Sequence, residues 1–327
     1  SENNWDNAYE QAKLFVSQLN LTEKIGLLYG TENLRFRLPI KIEHKEKSHL
    51  YLGKIDAFEN ENIEFPGMCL QDGTSGIRFA EGTGISWQSS INTAATFNKK
   101  LMYDVGKSQG EESKIKGVNT LLSPCVNIMR TPQAGRVWEG YGEDPYLTGI
   151  AGAQVIKGIQ DAGVIATVKH FLGNEQETYR KASSSHIELK ALMDIYVEPF
   201  YRAVKADVGA VMCSYNAVNN TYACENEWLL NEVLRKTLEF RGFVMSDWWA
   251  IYNNDSQSFN SGTDMNMPGG ITRGLQYVGR NGSFWSCFEQ YVKEKKITEK
   301  RITDAATRII ATMYKMEQMD GEKDFPR

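Results

Sequence analysis

A parallel α/β fold, and within that class a (β/α)8 barrel, is what this 327-residue sequence predicts. Short apolar runs alternate with helical patterns of 10 to 16 residues, as repeated βαβ units require. Runs such as Val211-Met212-Cys213 are apolar on both faces, which suits strands covered by helices on each side. No Gly-x-Gly-x-x-Gly follows a strand and no Walker sequence occurs. The competing class, a doubly wound nucleotide-binding sheet, therefore loses its main support. A closed barrel needs ~250 residues, and residues 63–327 supply them.

Taken in order, the chain opens with two helical patterns. Ala12, Phe15, Val16 and Leu19 share one face, and residues 21–28 form a second short pattern. Residues 31–62, rich in Lys, Glu and Asn around His44-Lys45-Glu46-Lys47, read as a loop or solvated insertion. Residues 1–62 are thus expected to form an N-terminal extension packed on the barrel. Strands are expected at 65–70, 120–122, 126–128, 165–171, 210–215, 243–246 and 265–267. Helices are expected at 93–108, 149–162, 189–205, 227–238 and 284–295. A last one, at 298–316, carries Ile302, Ala305, Ala306, Ile309 and Met313 on one stripe.

Composition narrows the function. Thirty-seven Lys and Arg against 41 Asp and Glu give a net charge of −4. With no long basic cluster, nucleic acid and anionic membranes are excluded as partners. No apolar run approaches the ~18–20 residues of a membrane span. Seven Trp, 15 Tyr and 14 Phe rule out a disordered chain. Five cysteines (Cys69, Cys125, Cys213, Cys224, Cys287) include no Cys-x-x-Cys pair, so zinc spacing is absent and no metal or cofactor is expected. The Cys213–Cys224 interval fits a small disulfide loop, with five buried thiols as the alternative. Sequons at Asn20, Asn219, Asn254 and Asn281 favour a glycosylated protein, secreted or vacuolar/lysosomal. The chain starts at Ser1 with no apolar leader, so any signal peptide is expected to be gone already.

In a barrel, reactive side chains gather at the C-terminal ends of the strands. Those ends supply Asp72, Lys169-His170, Tyr215 and Asp247-Trp248-Trp249, with Arg136 and Glu139 in a following loop. Many donors around two carboxylates, with aromatic faces beside them, suit a sugar. Asp247 is the sharpest candidate, a carboxylate able to attack an oxocarbenium-like centre. Bland readings stay open. Asp247 could be a helix N-cap and Asp72 a turn residue. Lys169-His170 could be a solvated rim pair, Arg136/Glu139 a surface ion pair, and Tyr215 and the tryptophans plain core.

Six stretches in order narrow these alternatives. They are Cys69-Leu70-Gln71-Asp72-Gly73-Thr74, Gly135-Arg136-Val137-Trp138-Glu139 with Gly142-Glu143-Asp144-Pro145-Tyr146, and Lys169-His170-Phe171-Leu172-Gly173-Asn174-Glu175. Then come Val211-Met212-Cys213-Ser214-Tyr215-Asn216, Gly242-Phe243-Val244-Met245-Ser246-Asp247-Trp248 and Gly262-Thr263-Asp264-Met265-Asn266-Met267-Pro268. Together, from Leu14 to Met316, the chain resembles the N-terminal barrel domain of glycoside hydrolase family 3, in particular its fungal-type β-glucosidases. The resemblance implies a retaining, exo-acting hydrolase of terminal β-glucosyl residues with Asp247 as nucleophile. It implies Asp72, Arg136, Lys169, His170, Arg180 and Tyr215 around the −1 sugar and Trp248 on the +1 side. It also implies a Cys213–Cys224 disulfide. Substrates would be a β-glucoside or short oligosaccharide, with a β-xyloside, an N-acetylglucosaminide or a barrel that only binds sugar as alternatives. The family's acid/base is usually a Glu in a second α/β domain, which this chain is expected to lack. A second domain or chain, or self-association, is therefore the expected partner. Departures are Thr74 in place of Pro, a short segment after Arg180, Trp249 where Gly is common, and Ser184 before Ser185-His186.

Overall fold

The computed structural model describes residues 5–31, 52–78, 84–252, 255–269 and 287–319. A six-stranded sheet runs in the order Gly53–Ile55, Met68–Asp72, Thr120–Leu122, Ile165–Phe171, Ala210–Cys213, Phe243–Ser246. The last five are parallel and the first is antiparallel to its neighbour. Every residue of Ile165–Phe171, Ala210–Cys213 and Phe243–Ser246 is buried, as helix-covered strands must be.

Several expectations need correction. The described part of the 31–62 segment is not a solvated loop. Gly53–Ile55 joins the sheet with Gly53 and Ile55 buried, and Phe58–Glu59 pairs with Glu64–Phe65. Alternating small and apolar residues here outweigh the surrounding charge. His44 and its charged neighbours lie outside the described residues. The first parallel strand begins at Met68 rather than Phe65. Val126–Ile128 is no strand. The chain turns away after Val126 donates to Lys169 O, and Val126 is buried beside Gly152 of the Pro145–Asp161 helix. Met265 and Asn266 form isolated bridges rather than a strand.

Eight regular parallel strands are therefore not present among the described residues. Single contacts nonetheless carry hydrogen bonding beyond the last strand. Met265 bridges Met245, Asn266 bridges Tyr29, and Thr31 N donates to Lys54 O at 2.7 Å.

Helices cover the sheet. Lys99–Ile115 packs along Pro145–Asp161, and the latter along Glu198–Lys205. Asn98 and Asp144 cap the first two, accepting from Leu101 N and Leu147 N. The 189–205 helix is interrupted by a wide π turn over Leu192–Val197. Trp5–Ser17 lays Ala8, Ala12, Phe15 and Val16 against Glu299–Lys315, Phe15 meeting Tyr314 edge-on. Asn20 closes a capping box with Glu23 at the start of Leu21–Gly26. Cys213 and Cys224 form a disulfide, and closing so short a loop stabilises by ~3 kcal/mol through the unfolded chain. Asn20 and Asn219 are exposed; Asn254 and Asn281 lie outside the described residues.

Candidate active site

Strand ends place the chemistry. Asp72 is the last residue of its strand and Lys169-His170 lie within Ile165–Phe171. Tyr215 follows Ala210–Cys213 by two residues, and Asp247 directly follows Phe243–Ser246. All five strand-end groups thus share the C-terminal edge of the parallel sheet.

Lys169, only 3% exposed, lies 3.5 Å from Asp72 Oδ1 and 4.0 Å from Glu139 Oε2. Arg136 holds Glu139 in a two-point pair, at 2.8 and 2.9 Å, and the Thr74 hydroxyl donates to the same carboxylate at 3.2 Å. Gly135 leaves room for Glu177 beside Arg136. Its φ of +94° suits glycine, and a Cβ there would sit 2.9 Å from Glu177 Cγ. Glu177 in turn pairs with Arg180 at 2.6 Å and lies 4.0 Å from Arg136. The Arg180 guanidinium sits 4.4 Å from the centroid of the Tyr215 ring, within cation–π range.

Asp247, 7% exposed, receives its own neighbour's Trp248 N–H at 2.6 Å and a hydrogen bond from the Tyr215 hydroxyl. His170 Nε2 lies 3.7 Å from its Oδ2. Burial pushes the Asp247 carboxyl above its ordinary range, against the opposing pull of Arg136, Trp248 N–H, Lys169 and Tyr215. The Tyr215 phenol rises, chiefly by burial and then by the Asp247 charge. Burial, then Arg136, Lys169 and Arg180, hold His170 well below its ordinary value, so it is neutral. Burial also works to raise Glu139, but Lys169 and Arg136 overcome it and keep the carboxylate ionised.

Beside these groups opens a cavity of about 350 Å³. Its wall includes Asp72, Arg78, Arg136, Trp138, Glu139 and Lys169. That is the low end of the size of small-ligand sites. Its polar wall suits a hydroxyl-rich ligand. His170, one residue beyond Lys169 on the same strand, and Asp247, directly after Phe243–Ser246, are not in that wall. No group of three His, Cys, Asp or Glu residues stands together as metal ligands would among the described residues.

The structure thus brings together Asp72, Arg136, Lys169, His170, Arg180, Tyr215 and Asp247 through shared contacts. Trp248 packs beside the antiparallel edge strand. It is 7% exposed, its indole N–H donates to Leu52 O, and its ring abuts Gly53. Trp249 is not core: it is 46% exposed with a φ of +62°. Glu139 is not a surface ion pair, being 4% exposed and joined to two cations. The three-residue spacing of Arg136 and Glu139 was the available signal for their pairing, but burial was not readable there. Sequence reasoning also missed Asn127, which reaches His170 and Glu175. His186 is exposed.

Glu175 is 4% exposed, and burial lifts its carboxyl to about 7. A raised folded pKa stabilises the protein below the ordinary value of 4.5. That contribution fades as pH climbs through about 7. Glu175→Gln removes the titration. Its denaturation midpoint should gain on wild type between about pH 5 and pH 8, by on the order of 2–3 kcal/mol. Parallel denaturation curves at the two pH values measure this; an unchanged difference would contradict it.

Comparison with known proteins agrees with this architecture. Residues 24–312 match the model of the glycosyl hydrolase family 3 N-terminal domain. A probable β-glucosidase L of Neosartorya fischeri is 40% identical over 97% of this chain, and a probable β-glucosidase A of Aspergillus terreus is 40% identical over 95%. The chain spans 40% and 35% of the lengths of these two relatives. Among solved structures, β-D-glucoside glucohydrolase from Trichoderma reesei superposes with a TM-score of 0.86 at 38% identity, covering 98% of this chain and 42% of its own. β-Glucosidase 3B from Thermotoga neapolitana, solved in complex with glucose, gives 0.82 at 32% identity, covering 96% and 44%. With a family model matched over most of its length and a polar cavity at the strand ends, the chain belongs to glycosyl hydrolase family 3.

Proposed function

We propose that this chain is the nucleophile-bearing barrel of a retaining, exo-acting β-glucosidase. The observation that carries the reading is Asp247. It is a buried strand-end carboxylate bonded by Tyr215, 3.7 Å from His170 and next to the Lys169/Asp72/Arg136 cluster. Asp247 attacks the anomeric carbon of a bound pyranose, forming a glycosyl-enzyme that water then hydrolyses. Asp72, Lys169, Arg136 and Arg180 bond the ring hydroxyls of the −1 sugar. The cavity of about 350 Å³ offers room for a sugar ring beside Asp72, Arg136 and Lys169. Trp248 backs the nucleophile and contributes to the +1 side. Tyr215 and the nearby cations oppose the upward push of burial on Asp247 and so favour the ionised form that attack requires.

Retaining cleavage also needs a proton donor ~5–5.5 Å from the nucleophile. We assign it to a second α/β domain or chain, as the family resemblance suggests. The bridges from Met245 through Met265, Asn266 and Tyr29 towards Lys54 support a closed barrel wall of modified strand pattern. The disulfide and the exposed Asn20 and Asn219 support a secreted, glycosylated protein. Relatives named as β-glucosidases favour glucose over xylose or N-acetylglucosamine.

A panel of aryl β-glucosides, β-xylosides and β-N-acetylglucosaminides with activated leaving groups tests the reading. Such leaving groups need little acid assistance, which is otherwise worth ~10²–10⁴-fold. Glucoside cleavage should exceed the others; calorimetric glucose binding with no turnover of any aryl glycoside would replace this reading by a sugar-binding one.

A further inference from the structure

Behind the cavity, one side chain touches His170 at three of its polar atoms. Cys125 bridges Lys169, Lys169 N donates to Pro124 O and Val126 N to Lys169 O. This pairing brings Asn127, only 2% exposed, opposite His170. Asn127 Oδ1 accepts from His170 N at 2.9 Å and stands 3.1 Å from His170 Nδ1. Its Nδ2 donates to His170 O and to Glu175 Oε1, both at 3.1 Å.

These partners fix the amide's orientation. A backbone N–H only donates and a backbone carbonyl only accepts, so turning the Asn127 amide over would break both contacts with the His170 main chain. The amide oxygen therefore faces Nδ1, and because that oxygen only accepts, Nδ1 must carry the hydrogen. In a neutral imidazole the other nitrogen is then bare. That nitrogen, Nε2, is the one 3.7 Å from Asp247 Oδ2.

We propose that Asn127 is a positioning residue that locks His170 in the Nδ1-protonated tautomer, so that Nε2 offers a lone pair to a substrate hydroxyl. The inference rests on reading this site as a sugar subsite only for the identity of that hydroxyl. Two consequences follow from a bare Nε2. It recognises a sugar oxygen that donates, and so discriminates against fluorine or an ether oxygen at that position. It also cannot donate to Asp247, so the imidazole itself ties up neither oxygen of the attacking carboxylate.

The groups facing His170 support the neutral form. Arg136, Lys169 and Arg180 repel a proton on the ring, Asp247 lies on the Nε2 side, and the Cys125 thiol is 3.9 Å from Nδ1. Glu175 reaches the ring only through Asn127. A thiol donating to a bare Nδ1 would leave two lone pairs, on Nδ1 and Oδ1, facing each other at 3.1 Å, which disfavours the alternative tautomer.

The test uses the whole 327-residue chain with 15N-labelled histidine. Long-range 1H–15N spectra distinguish the tautomers, and His170→Gln identifies the signal among the four histidines. His170 should show a protonated Nδ1 and an unprotonated Nε2, with no titration over about pH 5 to 8. An Nε2-protonated ring, or an imidazolium at neutral pH, overturns the proposal whether or not any variant folds. In Asn127→Asp, a carboxylate beside Nδ1 should raise the His170 pKa and give it a titration in that window. The rate of covalent labelling by a dinitrophenyl 2-fluoro-β-glucoside should fall about 10- to 100-fold, recovering as pH rises and the ring loses its proton. A folded Asn127→Asp protein with wild-type His170 signals and an unchanged pH profile also overturns it. If the tautomer holds while no monofluorinated glucose is discriminated against, the sugar-subsite reading fails and the lock stands.

Discussion

Replacing Asp247 by Asn should abolish covalent labelling and reduce any glycoside cleavage by about 10⁴- to 10⁶-fold, the scale seen when a covalent nucleophile is removed. Asn is nearly isosteric. Its side-chain oxygen can keep the bonds from Trp248 N–H and Tyr215, but it carries no charge with which to attack. Folding should not suffer. The Asp247 carboxyl is pushed upward by burial, so removing the charge also removes a desolvation cost. The informative measurement is mass spectrometry of peptides after exposure to a 2-fluoro-β-glucoside with an activated leaving group. Wild-type protein should carry the sugar on the peptide containing Asp247, and Asp247→Asn none. Glucose affinity by calorimetry should change much less than the labelling rate. A label on another carboxylate, or cleavage undiminished in the variant, would remove Asp247 from the mechanism.

The second large effect concerns stability, away from the cavity. Asp264 is fully buried and faces three guanidinium groups. Arg301 reaches it at 2.9 Å, Arg308 at 2.8 Å and Arg235 by a further short contact, while Val244 N donates at 3.0 Å. Burial opposes its charge, but Arg235, Arg308 and Arg301 hold the carboxyl at about 2. Asp264→Asn leaves those buried cations without their counterion and should cost about 3–5 kcal/mol. The denaturant midpoint should fall with little change in slope. A depressed pKa stabilises above the ordinary value of 3.8 and the gain disappears as pH drops toward about 2. The gap between variant and wild type should therefore narrow on acidification through that window. A midpoint shift below about 1 kcal/mol at neutral pH would show that the cluster relaxes or hydrates once the carboxylate is gone.

Much of the framework was legible in the chain. Ile165–Phe171 and Phe243–Ser246 were expected at those bounds because long apolar runs in helix-covered strands leave little ambiguity. The final helix was readable from its stripe of Ile302, Ala305, Ala306, Ile309 and Met313. Val126–Ile128 misled for a physical reason: Val126 and Ile128 are buried, but the main chain leaves the ladder after Val126 N donates to Lys169 O, and burial alone does not make a strand. Residues 53–59 misled in the other direction, since charge counts describe a segment's neighbourhood and not the pairing available to its backbone.

The candidate site divides along the same line. The sequence by itself determined which reactive groups end the strands, since the reactive side chains of a parallel barrel gather at the C-terminal ends of its strands. Asp72, Lys169, His170 and Asp247 follow from that rule. Only the fold decided how those groups are charged and aimed. Lys169 beside the Glu139 carboxylate, Asn127 spanning the main chain and ring of His170, and Asp264 gripped by arginines from two helices are contacts between residues far apart in order. Their energies depend on burial and on partner distance, and neither quantity exists until the helices have closed over the sheet.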